Sequence, residues 1–353
     1  MTTLAKLAVA LEGAPETEEE LEERLSRPDD GTIADLRALE GEFLVLGAGG
    51  KMGFSVSHLL RRALDEGGRN GTKVTAVSRF GGGVPEEFER ARVETISADL
   101  LDDAALSALP DAPNVLYLAG MKFGSSGDPS GTWALNTLLP GLVARRFRGA
   151  RIVALSTGNV YGLSSIKKGG AVETDPPAPE GEYAQSCLGR ERMFGHAAAE
   201  YGTKVALIRL NYANDLRYGV IVDVAQKVLD GTPVDVSMGW VNVIWQGDAN
   251  RAIVRSFAHA AAPPFVLNVS GPETVSVRWL AGRLAELLDR PVPPIVGAET
   301  ETAILSNCSK QHGLYGYPSV TLDALIRWTA EWLQRGGRTL GKPTKFQARD
   351  GKF

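Results

Sequence analysis

A short apolar run, Phe43-Leu44-Val45-Leu46, is followed by glycines at 47, 50 and 53 and then by an apolar-patterned segment, Phe54 to Leu64. This order constrains the fold more than any other feature of the chain. The run has strand character and the later segment helix character, so the glycines mark a strand-to-helix corner. Gly47 permits a tight turn, Gly50 lets backbone approach a pyrophosphate at the positive end of the helix, and Gly53 lets that helix pack close to the sheet. Such a corner cradles the phosphates of a dinucleotide, and Lys51 and Met52 lie within it. The plain alternative is an ordinary strand–helix turn, because glycine-rich corners are common.

Strand-type runs recur at 74–78, 94–97, 115–119, 151–156 and 205–210, with helical segments between most of them. That alternation predicts an α/β fold, a Rossmann-like doubly wound parallel sheet. Helices are expected at 219–229, 248–259, 276–288 and 321–335, and a strand at 240–245. The expected organisation is a helical extension over 1–40, a dinucleotide-binding domain over 41–210 plus 240–262, a smaller C-terminal substrate lobe over 211–239 plus 263–340, and an extended tail over 341–353. Thr17 with Glu20 predicts a capping box at the first helix.

Composition removes several function classes. Net charge is −4 with no basic block, so no nucleic-acid partner is expected. Cys187 and Cys308 form no framework or metal spacing, and the four histidines contain no HExxH, so no metal is expected and a cytoplasmic, reducing setting is the default. No run reaches membrane-spanning length and the first residues lack a signal-peptide pattern, so no membrane partner is expected.

Ordered motifs over roughly 43–335 resemble the extended short-chain dehydrogenase/reductases of the NAD-dependent epimerase/dehydratase type. Gly47, Gly50 and Gly53 match that family's GxxGxxG. Ala98-Asp99-Leu100 resembles the motif after the third strand, whose aspartate holds adenine. Leu118-Ala119-Gly120 resembles the stretch beside the cofactor, Asn136 the NVxGT helix, Ser156 to Gly162 the SSxxVYG strand end, and Asn268 to Glu273 the NIGGPE of the C-terminal lobe. The resemblance implies that Tyr183 moves a proton on or off a substrate hydroxyl while a nicotinamide exchanges a hydride with the same carbon. It makes Thr157 the hydroxyl that bonds the substrate oxygen, with Asn159 nearby. It also implies a homodimer through helices near 130–147 and 183–200.

One departure stands out. The family places a lysine four residues after the tyrosine, where its charge favours phenolate; here that residue is Cys187. Three readings stay open: another cation substitutes, redox chemistry is slow or transient, or the chain only binds the dinucleotide. Lys122 is the expected substitute, with Arg190 set aside as one position off.

At the end of the second strand Ser78 and Arg79 stand where an acid would select NAD, which favours NADP over NAD. Nucleotide sugars are disfavoured, because the arginine expected near 240–245 is missing and Tyr212 displaces an asparagine. A smaller carbohydrate-like substrate is expected, held by Lys122, Thr157, Asn159, Tyr212, Asn214 and Trp240, with Asp215, Arg217 and Trp245 nearby. The function read from sequence is an NAD(P)-dependent oxidoreductase or epimerase acting on a sugar hydroxyl. The alternatives are a catalytically silent dinucleotide sensor or scaffold and a nucleotide-sugar epimerase/dehydratase.

Overall fold

The computed structural model describes residues 13–352. Seven strands form one sheet: β1 (Phe43–Leu46), β2 (Val74–Ser78), β3 (Glu94–Ser97), β4 (Asn114–Tyr117), β5 (Arg151–Thr157), β6 (Lys204–Leu210) and β7 (Phe265–Val269). Their spatial order is β7-β6-β5-β4-β1-β2-β3, with every neighbour parallel. β1 and β4 are buried along their whole length, as continuous apolar strands covered on both faces should be. The chain winds outward from β1 to β3 and then crosses back to β4. The order therefore reverses between β1 and β4, and a crevice opens there at the strands' C-terminal ends.

The helices of eight residues or more are α1 (Glu18–Leu25), α2 (Asp30–Arg37), α3 (Gly53–Glu66), α4 (Leu139–Arg146), α5 (Gly181–Tyr201), α6 (Val220–Asp230), α7 (Gln246–Arg255), α8 (Val277–Leu288) and α9 (Leu322–Gln334). Apolar residues of α3 and α7 pack on one face of the sheet, among them Val56, Leu60 and Ile253. Residues of α4 and α5 pack on the other, among them Leu139, Val143 and Phe194. A separate core joins α6, α8 and α9 to Leu21 and Leu25 of α1. Thr17 caps α1 by accepting from the Glu20 N–H, while Glu20 Oε2 accepts from the N–H of Glu16 rather than that of Thr17. Residues 1–12 of the expected extension lie outside the described residues.

Two stretches differ from their sequence reading. Phe265–Val269, assigned to the smaller lobe, is the outer strand of the main sheet, in register with Ala206 to Leu210. Its partner lies far away in sequence, so no local pattern reveals the pairing. The expected strand at 240–245 is two short pairs, Trp240–Val241 with Val275–Ser276 and Ile244–Trp245 with Ala213–Asn214. Asn242 between them turns inward and bonds the Ser306 carbonyl at 2.6 Å. The tail has no regular element but is docked. Phe346 is buried, and Arg349 Nη1 donates to the carbonyls of Ser237 at 3.1 Å and Thr302 at 2.8 Å. Burying a phenylalanine stabilises that docking by ~2 kcal/mol.

Candidate active site

The crevice at the β1–β4 reversal holds two clefts that meet at Gly47, Gly50, Leu118 and Gly120. The smaller, about 260 Å³, is lined by Ser78, Arg79, Asp99, Leu100, Ala119, Leu135 and Leu139 among others. The larger, about 350 Å³, holds Thr157, Asn159, Tyr183, Lys51 and Lys122. At the corner between them Gly47 has φ +88°, and a Cβ there would lie 2.5 Å from the Ala119 nitrogen. A Cβ on Gly53 would lie 2.0 Å from the Ala48 carbonyl oxygen. Gly50 differs: its Cβ would point into open space, with nothing closer than 3.5 Å. The start of α3 carries no side-chain cap, which leaves its N–H groups and dipole available to an anion. This bare backbone fits a dinucleotide diphosphate.

The wall that carries Thr157 is braced from behind. Ser156 donates to Glu191 Oε1 at 2.7 Å. Arg209 grips both oxygens of Glu191 at 2.9 and 2.7 Å and donates to the Tyr161 hydroxyl at 2.7 Å, which in turn donates to Asn268 Oδ1 at 2.7 Å. This buried network ties β5, α5, β6 and β7 together beneath Thr157. The Asn159 side chain donates to Thr157 Oγ1 at 2.9 Å, and Thr157 shares a hydrogen bond with the Tyr183 hydroxyl, which also bonds the Cys187 thiol. Burial pushes the Tyr183 phenol well above its ordinary range and Cys187 adds to this, while Arg190 and the Thr157 hydrogen bond oppose it. Burial likewise raises the Cys187 thiol.

Arg190, one of the two cations weighed from sequence, acts on the phenol and opposes the effect of burial. It lies two helical turns beyond Tyr183, on the same face of α5. Its Nη1 donates to the Leu155 carbonyl at 2.6 Å and its Nη2 to Asn136 Oδ1 at 2.8 Å, and its Nε–H is buried without a hydrogen-bond partner. Lys122 lines the same cleft, with its ammonium on the Thr344 carbonyl at 3.1 Å. Lys51 crosses from the glycine corner to the Ala213 carbonyl at 3.0 Å and stands 4.4 Å from the Tyr218 ring centre. Burial lowers both lysines to about 8; Asp223 then Cys187 resist this for Lys122, and Asp215 for Lys51.

Gly47, Gly50, Lys51, Met52, Gly53, Leu118, Gly120, Lys122, Thr157, Asn159, Tyr183, Tyr212 and Asn214 all line the larger cleft. Asn136 lines neither cleft. It sits in a π-helical turn, Ala134–Leu138, and its amide holds the Met121 N–H and carbonyl at 2.8 Å each. The Asn214 side chain is committed to the Tyr212 carbonyl and the Ile221 N–H. Trp240 lies outside the cleft, packed with Met238 and Ala303, while Trp245 packs edge-on against Trp328. Arg217 pairs with Asp215, Glu18 and Glu22. Sequence reasoning missed Phe123, Asn211, Tyr218, Val220 and Thr344 on the cleft wall. Among the described residues no cluster of His, Cys, Asp or Glu is placed to hold a metal, and no helix is long and apolar enough to cross a membrane.

Solved structures share this architecture. An epimerase from Methanothermobacter thermautotrophicus superposes with a TM-score of 0.71 at 20% identity, covering 88% of this chain and 97% of its own. A UDP-glucose 4-epimerase from Thermotoga maritima, solved with UDP-glucose, gives 0.69 at 20%, covering 84% and 99%. A dTDP-glucose 4,6-dehydratase from Streptomyces venezuelae, solved with NAD bound, gives 0.68 at 20%, covering 83% and 97%. No curated protein matches the sequence. The sequence model of the NAD dependent epimerase/dehydratase family matches residues 43–268. With its glycine corner, its seven-stranded sheet and this match, the chain belongs to the NAD-dependent epimerase/dehydratase family.

Proposed function

We propose that the chain is an NAD(P)-dependent oxidoreductase or epimerase acting on a hydroxyl of a sugar-like substrate, with Tyr183 handling the proton. The observation that carries this reading is that Tyr183 and Thr157 reach the wall of a cleft continuous with the glycine corner. A nicotinamide dinucleotide bound there supplies hydride exchange with the carbon that bears the substrate oxygen. The Gly50 backbone and the uncapped start of α3 would hold its diphosphate, and Ser78, Arg79, Asp99 and Leu100 its adenosine. Thr157, oriented by Asn159, positions the substrate oxygen. Tyr183 rests as the neutral phenol, so it acts first as an acid and gives its Oη proton to a carbonyl oxygen as that carbonyl is reduced. Arg190 favours the phenolate left behind, and the reverse step restores the proton.

The finer features follow from the same residues. Ser78 and Arg79, with no acid at the end of β2, support NADP alongside the NAD named for fold relatives. Val241 is buried where a diphosphate-binding arginine was sought, and the Asn211 amide is bonded to Asn242 and the Ile304 carbonyl, which supports a smaller sugar over a nucleotide sugar. The fold relatives' own substrates keep a nucleotide sugar as the second reading. The exposed Trp133, Leu138 and Tyr201, on the helices around 129–146 and α5, support a homodimer. Two buried free thiols suit the cytoplasm.

The test is calorimetric titration with NAD and NADP, followed by turnover on free sugars and UDP-sugars. Tyr183→Phe is expected to keep coenzyme affinity and to lower turnover by roughly 10²–10⁴-fold. Failure to bind either coenzyme overturns the reading. Coenzyme binding with no turnover on either class favours the silent sensor. Faster turnover of UDP-sugars favours the second reading.

A further inference from the structure

We propose that Tyr212 and Tyr218 set the substrate specificity of the larger cleft by binding a second, unreacting hydroxyl of the sugar ring; this rests on the function proposed above. Both tyrosines line that cleft together with Thr157 and Tyr183. They come from a different part of the chain than the reacting pair. Tyr212 follows β6 and Tyr218 stands two residues before α6, so one short loop, 211–219, carries both.

That loop is built to hold the two rings still. It folds back on itself, with the Asp215 N–H donating to the Tyr218 carbonyl at 3.0 Å. The buried Asp215 accepts from the Arg217 N–H at 2.7 Å and from its guanidinium at 3.0 Å, and that guanidinium also pairs with Glu22 of α1 at 2.7 Å. The Tyr212 carbonyl accepts from the Asn214 amide at 2.6 Å and from the Ile244 N–H at 3.2 Å, while Asn214 Oδ1 accepts from the Ile221 N–H at 3.2 Å. Tyr212 itself has φ +44°, a left-handed conformation that glycine adopts freely and a bulky residue only at a cost. A strained residue held by so many surrounding bonds is the mark of a group placed for use.

What the loop leaves unengaged is the pair of phenols. Neither hydroxyl makes a hydrogen bond to any described residue, and neither oxygen is sealed inside the protein. The Tyr218 ring lies 4.4 Å from the Lys51 ammonium, and the two phenols are close enough to feel each other's charge. Burial pushes both above the ordinary range; Tyr218 adds to this for Tyr212, and Asp223 and Asp215 for Tyr218. Both are therefore neutral hydroxyls that donate one hydrogen bond and accept others. An alcohol has the same donor and acceptor capacity, whereas an anion offers acceptors alone. With Thr157 and Tyr183 on the reacting oxygen and the loop tyrosines on another, the ring is held at two points, which fixes the carbon that meets the reacting pair.

The purified full-length protein, with coenzyme present, is titrated by calorimetry with D-glucose, D-galactose, D-xylose and UDP-glucose. The tightest ligand is then compared with its monodeoxy analogues on wild type, Tyr212→Phe, Tyr218→Phe and the double variant. Coenzyme binding is measured alone as the control on the underlying reading. Each phenylalanine variant keeps the ring and is expected to bind coenzyme within about threefold of wild type, yet to weaken the sugar roughly tenfold through one lost hydrogen bond. On wild type, one deoxy analogue should lose at least about tenfold, and in the double variant that loss should disappear, because the partner of the missing hydroxyl is already gone. A purely structural role for the tyrosines would leave the deoxy penalty in place. Sugar affinity unchanged in all three variants, a deoxy penalty that persists in the double variant, or binding of coenzyme with none of the four ligands overturns the proposal. A parallel fall in coenzyme affinity assigns the tyrosines to the coenzyme and overturns it as well. Failure of the wild-type protein to bind coenzyme would instead strike the function itself.

Discussion

At the glycine corner the working groups belong to the backbone: N–H groups at an uncapped helix start and a glycine with open space above it. On the facing wall they belong to side chains delivered by five distant stretches, around 122, 157, 183–190, 211–220 and 344. The corner needs small residues and tolerates little else. The wall needs particular functional groups, and its backbone can come from anywhere. The two halves of one cleft should therefore fail in different ways, and each failure can be forced.

The largest effects belong to the corner. A valine at Gly53 would put Cβ 2.0 Å from the Ala48 oxygen and 2.4 Å from its carbonyl carbon. Those are backbone atoms that cannot rotate aside, so Gly53→Val is expected to lose ~3 kcal/mol or more through overpacking and to leave little folded protein. Gly50→Val would meet only the Gly47 carbonyl oxygen, at an ordinary contact distance of 3.5 Å, and should fold, yet its branches would fill the space proposed for the diphosphate. Coenzyme affinity should fall by roughly 100-fold, about 2.7 kcal/mol, with the melting temperature nearly unchanged. A Gly50→Val protein that binds coenzyme normally would break the comparison, because the corner would then not be the cradle.

The same contrast explains what the sequence disclosed. The corner was legible because a strand, its turn and its helix are contiguous, so spacing alone encodes the geometry. β7 was illegible because its partner β6 lies two helices earlier and nothing local marks Phe265–Val269 as a sheet member. Asn136 illustrates a third case: the motif position was recognised, but its amide faces the loop at Met121 and the guanidinium of Arg190 rather than either cleft. Arg190 was passed over because position 187 was searched for a charge. Seven residues beyond Tyr183 a helix returns to the same face, and long helical side chains lean back toward the N-terminus. That periodicity was in the sequence, and Thr344 had no comparable signal.

Arg190 gives the intermediate effect and tests the wall. Arg190→Met leaves Asn136 Oδ1 and the Leu155 carbonyl each short of a buried partner, for an expected loss of ~2–4 kcal/mol in urea unfolding. A purely structural role would end there. If the guanidinium also favours the Tyr183 phenolate, the alkaline limb of the oxidation pH profile moves upward in Arg190→Met and returns part of the way in Arg190→Lys, which keeps the charge. A profile that stays in place in both variants would confine Arg190 to packing.

The smallest effect separates the halves by pH. Lys122 and Lys51 sit near 8 in the folded chain against an ordinary 10.5. Asp223, Cys187 and Lys345 face Lys122, Asp215 and Arg217 face Lys51, and the two lysines also face each other. Below about 8 both lysines are charged in the folded and unfolded chains, and burial of the charges costs stability throughout. Between about 8 and 10 the unfolded chain holds more protons than the folded one, so these residues make the free protein more stable as pH rises. Anion binding must run the other way, because it needs the ammonium form. From pH 7 to 9.5 the dissociation constant for an anion that needs one of these ammonium groups should rise roughly 30-fold, since each unit above the pKa empties the charged form tenfold. A coenzyme diphosphate held by backbone N–H groups has nothing to titrate there, so its affinity should stay flat over the same range. If the two ligands lost affinity in parallel, the lysines would serve the corner as much as the wall, and the division between backbone-built and side-chain-built halves would fail where the two clefts join.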